Sequence, residues 1–127
     1  SESFQELILQ PQSEIGNFRR YLVECGFTVS QEDMVWEDGK FYPIIKAVFK
    51  KTAHKDRYTD IEFYYGKRLL ESRHPVLYSY LEKELEKVQQ IARRLQASST
   101  VNAKKRLREI LKEKQRIEAA MRVYEDL

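Results

Sequence analysis

The sequence predicts an α/β chain in two parts. A strand, a helix and a long antiparallel β-hairpin fill the first fifty residues, and two long antiparallel helices follow. Three observations predict this. Leu7, Ile8 and Leu9 form an unbroken apolar run, the pattern of a strand buried on both faces in a helix-covered sheet. Asp38-Gly39 stands between two β-rich stretches, a strong short-range hairpin signal. From Leu77 onward apolar residues recur by threes and fours, as on one face of a helix.

Each element has its own warrant. After the strand, Pro11-Gln12-Ser13 makes a turn with Ser13 as a candidate N-cap. Ile15, Phe18 and Leu22 then step at helical spacing, and Gly26 stands where a left-handed C-terminal cap is expected. Residues 27–37 and 40–50 read as the two hairpin strands; Pro43 within the second belongs at an edge or a bulge. Residues 51–75 read as a polar linker with a short aromatic docking segment at Phe63, Tyr64 and Tyr65. A helix starts near Val76, its stripe running through Leu77, Leu81, Leu85, Val88, Ile91 and Leu95. After residues 98–102 a second stripe takes in Ala103, Leu107, Ile110, Lys114, Ile117, Met121 and Tyr124. Lys114 interrupts that seam, a substitution such seams accept at a cost in stability. Two helices of ~22–25 residues, ~33–38 Å long, joined by a short loop make an antiparallel coiled-coil hairpin.

Composition narrows the function. A 127-residue chain holds one domain or pieces of two, and 34% charged residues favours long solvated helices. The single cysteine, Cys25, excludes an internal disulfide framework and fits a reducing compartment; beside Gly26 at a helix end, it reads as a buried thiol. No stretch approaches the ~20 apolar residues of a membrane span, so the cytoplasm is the expected location. His54 and His74 have no partner at ligand spacing, so surface or capping roles are expected and no metal site. Net charge is only +3, but its distribution is uneven. Between Glu86 and Glu109 there is no acidic residue, while Lys87, Arg93, Arg94, Lys104, Lys105, Arg106 and Arg108 are all cationic. A hairpin brings them towards its loop end. Cations without counter-charges repel one another, a cost that polyanion binding offsets, and such a patch positions phosphates without reading sequence.

The segments "LILQP" (7–11), "FRRYLVECGF" (18–27) and "EDGKFYPII" (37–45), with a coiled-coil tail led by His74-Pro75, resemble the bacterial tRNA (adenine(22)-N1)-methyltransferase family. Arg19, Lys40 and Tyr42 match its pattern; Gln12, Pro43 and Gly66-Lys67 depart from it. The resemblance implies the C-terminal part of a Rossmann-like methyltransferase sheet over residues 1–50, a linker and docking segment over 51–75, and the coiled-coil hairpin over 76–127. That sheet ends in a strand antiparallel to all the others, as the predicted hairpin does. Four further strands would lie upstream, and the exposed edge of the first strand here would favour self-association.

The implied reaction moves a methyl group from S-adenosyl-L-methionine to N1 of an adenine in tRNA. N1 is on the Watson–Crick edge, so the base must be unpaired or flipped. The cofactor would be bound mainly by the missing N-terminal half, because no glycine-rich cradle occurs here. Substrate-side candidates are Gln10 and Pro11, at the carboxyl end of a strand, and Tyr42. Gln10 either meets a base edge or pins the turn; Tyr42 either stacks on a base or fills the core. Lys40 is either a solvated turn residue or a substrate contact, and Arg19 either caps or solvates its helix or meets a phosphate. The competing reading is a non-enzymatic RNA-binding or dimerisation module built on the hairpin.

Overall fold

The computed structural model describes residues 4–50 and 57–125. Two units result, Ser1–Leu77 and Tyr78–Leu127. The first holds β1 (Phe4–Leu9), α1 (Ile15–Glu24), β2 (Phe27–Glu37), β3 (Lys40–Lys50), α2 (Asp60–Tyr65) and α3 (Lys67–Glu71). A long helix, α4 (Pro75–Gln96), starts at its end, and the rest of α4 with α5 (Val101–Val123) makes the second.

The sheet has the order β1-β3-β2, with β3 antiparallel to both neighbours. So β1 and β2 run the same way and the last strand returns between them, as the sequence predicts. The turn has the expected chemistry: Asp38 and Gly39 both take positive φ, 50° and 76°, as a type I′ turn requires. Pro43 lies within the central strand. Since β1 stops at Leu9 opposite Ile45, β3 at Pro43 is flanked by β2 alone, a setting that tolerates a strand proline.

A bulge between Val29 and Gln31 shifts the alternation of β2. Odd-numbered Val29 and even-numbered Met34 therefore both reach the buried face, and Glu32, opposite Ile45, follows them. Leu22, Val29, Ile45 and Ala47 form the core of this unit, with Leu9, Ile15, Phe18 and Phe27 packed on it.

Three expectations are corrected. The 7–9 run is not buried on both faces: Leu7 is 38% and Ile8 70% exposed. Ile8 pairs with Lys46 on the open face, while Leu7 and Leu9 pair with buried Ala47 and Ile45. Ser13 is not the cap of α1; Glu14 takes that place in a left-handed conformation without a side-chain bond. Cys25 is exposed, because the helix ends there and Gly26, at φ 93°, turns the chain away. A hydrogen bond with Cys25 holds the Tyr21 phenol above its usual pKa.

In the second unit the helices are 22 and 23 residues long, ~33–35 Å at 1.5 Å per residue. Of the first stripe Leu81 and Val88 are buried in this unit, and of the second Ala103, Ile110 and Ile117; Ala92 and Ala120, outside the predicted stripes, are buried with them. The Tyr78 ring, near the start of α4, stands 4.9 Å from that of Tyr124, just past the end of α5, so the pair is antiparallel. Thr100 caps α5 by accepting the Ala103 N–H at 3.1 Å. Lys114, on the second stripe, is half-buried.

Candidate nucleic-acid interface

The first unit is held by a buried ionic junction. Arg19 comes from α1 and Glu32 from the bulge-shifted face of β2, with side chains 1% and 0% exposed and Nε–Oε2 at 2.8 Å. Arg19 Nη1 also donates to the carbonyls of Phe63 and Tyr64 near the end of α2, at 2.9 and 3.0 Å. Glu32 Oε1 accepts the Arg68 N–H, a first-turn donor of α3 with no intrahelical partner, and Arg68 Nε donates to the Val29 carbonyl at 2.8 Å. This corrects the expectation for Arg19: it neither caps its helix nor faces a phosphate, but docks α2 and α3. Aromatic residues of the expected docking segment join in, with the Arg20 guanidinium 4.1 Å from the centre of the Phe63 ring.

Gly66 completes the junction. Its φ is 103°, and a Cβ there would lie 2.9 Å from both Arg19 Nη2 and Glu32 Oε2. Gly66→Ala is expected to destabilise the unit by ~1–3 kcal/mol, from backbone strain and the intruding methyl together. A thermal melt unchanged from that of the parent protein would refute this.

The substrate-side candidates stand at one end of the sheet. Gln10 is exposed just past β1, Pro11 follows half-buried, and Tyr42 on β3 lies three residues beyond Ile45, the partner of Leu9. Tyr42 is half-buried and its neighbours Phe41 and Pro43 point to the other face, so it lies outside the main core cluster. Lys40 is exposed beside the turn. A groove of about 540 Å³ crosses the open face, with Ile8 and Ile44 as apolar walls and Lys46, Asp33 and Arg68 as charged ones. Both cations have carboxylate partners, Lys46 with Glu6 and Arg68 with Glu71, and Asp33 lies 2.6 Å from Nε2 of the His74 ring. The groove is electrically compensated and offers little to a polyanion. His74 also accepts the Val76 N–H on Nδ1, so it has the expected capping role; His54 lies outside the described residues.

The predicted cationic cluster belongs to the second unit. Lys87, Arg93 and Arg94 lie on α4, Lys104, Lys105, Arg106 and Arg108 on α5, and all seven are exposed. Two have counter-charges, Lys87 with Glu84 at 3.1 Å and Arg106 with Glu109 at 3.2 Å. Among the described residues the other five form no ion pair. Within the predicted cluster, uncompensated charge is thus confined to Arg93, Arg94, Lys104, Lys105 and Arg108. The sequence reading missed Glu32, Gly66 and Arg68. Glu32 and Arg68 are strand and helix polar residues of ordinary type, and nothing local marks their convergence.

The residues present do not fit a nucleoside cofactor by themselves. Gly16 is inside α1 against Tyr64, Gly26 ends that helix, Gly39 makes the hairpin turn and Gly66 is filled by the junction. Each has a structural task, and none opens a strand-to-helix phosphate or nucleoside cradle. Among the described residues no group of three or more His, Cys, Asp or Glu side chains could hold a metal ion. No helix among them is long and apolar enough to cross a membrane.

Comparison with known proteins gives a consistent result. An uncharacterized protein from Listeria monocytogenes serotype 4b superposes with a TM-score of 0.83 at 21% identity, covering 91% of this chain and 50% of that one. The tRNA methyltransferase TrmK of B. subtilis gives 0.76 at 23%, covering 92% and 51%. TrmK of M. capricolum, solved with the cofactor product S-adenosyl-homocysteine, gives 0.75 at 22%, covering 93% and 49%. These likenesses show that the chain shares the fold of the matching part of each, and it spans about half the length of each of the three. No curated protein matches. The family model for tRNA (adenine(22)-N(1))-methyltransferase matches residues 2–119, and the chain therefore belongs to that family.

Proposed function

We propose that this chain is the C-terminal part of an S-adenosyl-L-methionine-dependent, cytoplasmic methyltransferase acting on N1 of an adenine in tRNA, position 22. In this reading the coiled-coil hairpin grips the RNA. The observation that carries it is the family match over residues 2–119. The share of each solved structure that is covered, about half, supports the partial-enzyme reading. So does β1, whose outer edge has no strand beside it among the described residues and whose Ile8 is left exposed. The upstream half would continue the sheet at that edge and cover its open face. In the isolated chain the same edge would pair with a second copy. Gln10 and Pro11, past the carboxyl end of β1, and Tyr42, near the amino end of antiparallel β3 at the same end of the sheet, would stand on the substrate side of the completed site.

Calorimetric titration of S-adenosyl-L-methionine tests this. The 127-residue chain alone is expected to show no stoichiometric micromolar site and no methylation. A protein carrying it behind an upstream methyltransferase half is expected to bind the cofactor and to form N1-methyladenine in tRNA, read by mass spectrometry of digested nucleosides. A micromolar site in the isolated chain would overturn the partial-enzyme reading. Tight tRNA binding with no methylation by the longer protein would favour the non-enzymatic module.

A further inference from the structure

The two flanks of the helical hairpin are not alike. On one flank two cations have carboxylates, Lys87 with Glu84 and Arg106 with Glu109, while Arg94 on that flank has none among the described residues. On the other a groove of about 220 Å³ opens between the helices, walled by Gln89, Ala92, Arg93 and Gln96 of α4 and by Leu111 and Lys114 of α5. Gln89, Arg93 and Gln96 stand at i, i+4 and i+7 and share one face, with buried Ala92 on its seam side, whereas Arg94 is turned from Gln89 and Gln96 by about 140–160°. On α5, Lys104, Arg108 and Leu111 stand at i, i+4 and i+7, so the exposed cations near the loop continue into the groove wall. Glu109, two residues from Leu111, is turned to the far side.

Lys114 is the informative residue. It occupies a position of the apolar seam, is half-buried, and has no hydrogen bond or ion pair among the described residues. A lysine in an apolar seam costs stability relative to an apolar residue, and no ion pair among the described residues holds this one. Arg93 faces the same groove, equally unpaired, with two carboxamides that donate and accept. Two free cations and two amide donors over an apolar floor match a phosphodiester with its adjoining sugar. We propose that this groove is a phosphate-binding subsite for RNA, and that the backbone runs along the flank of Arg93, Lys104, Arg108 and Lys114 and not along the opposite one. This rests on the reading that the hairpin binds RNA, and it adds the side, the position and Lys114.

The test uses the 127-residue chain and a fluorescently labelled tRNA transcript, with anisotropy measured over a salt series. Lys114→Met is expected to raise the melting temperature of the helices while weakening binding roughly three- to tenfold. It should flatten the log–log salt dependence by somewhat less than one unit. Lys114→Arg is expected to restore most of the affinity. Arg94→Met, which removes the same charge from the other flank, is expected to change it less than twofold. If Lys114→Met stabilises the protein and leaves affinity unchanged, or if Arg94→Met costs as much, the subsite is overturned. The joint variant Arg93→Ala, Lys104→Ala and Arg108→Ala separates the two readings. Lost binding there with none lost at Lys114 removes the subsite alone, whereas unchanged binding in both removes the RNA reading of the hairpin.

Discussion

Arg19→Met is expected to destabilise the first unit by ~3–5 kcal/mol, the cost of leaving a buried charge without its partner. The variant leaves the carboxylate of Glu32, 0% exposed, facing an apolar side chain, and it orphans the carbonyls of Phe63 and Tyr64. Since small domains have ~5–15 kcal/mol in total, such a loss takes a large share of the stability. The readout is favourable: Trp36, the one tryptophan of the chain, lies on β2, so its fluorescence in a urea titration follows this unit. Far-UV dichroism, dominated by α4 and α5, would be affected much less. Glu32→Leu combined with Arg19→Met should be less damaging than the two single effects added together, because no lone charge remains. The Arg68 N–H would still lack its acceptor, so recovery should be incomplete. A midpoint for Arg19→Met within ~1 kcal/mol of the parent would mean that water reaches the junction and that it does not hold α2 and α3 in place.

Removing the unpaired cations of the hairpin should have the largest effect on binding. Replacing Arg93, Arg94, Lys104, Lys105 and Arg108 together by alanine is expected to weaken tRNA binding on the order of a hundredfold at ~0.1 M salt, uniformly across tRNA sequences. The slope of log affinity against log salt should flatten by somewhat less than one unit per lost phosphate contact. Lys87 and Arg106, already neutralised by Glu84 and Glu109, should contribute less when changed singly. The five substitutions lie on exposed helix positions, where alanine favours the helix, so the fold should persist. In a longer enzyme the affinity for S-adenosyl-L-methionine should stay as it was. Unchanged tRNA affinity and salt slope would leave the hairpin a solvated surface serving packing or assembly.

What the sequence determined by itself is whatever short-range chemistry decides. Two residues of permissive backbone, Asp38 and Gly39, set the hairpin turn and with it the direction of β3. The 3-and-4 recurrence of apolar residues settled both long helices, since a helix needs only its own next turn to place a stripe. Charge spacing along those helices likewise brought the cations to one end. The tertiary structure decided the rest, because the partners are distant in the chain. Glu32 reaches Arg19 only because a one-residue bulge moves it to the buried face, and no local pattern announces a bulge. Gly66 is indispensable only once both side chains crowd it. Cys25, read as buried, is exposed by the direction in which the chain leaves α1. Ile8, read as buried, lies on a face of the sheet that no described element covers. Lys114 was visible as a flaw in the seam; only the packing of α4 against α5 sets it in one groove with Arg93.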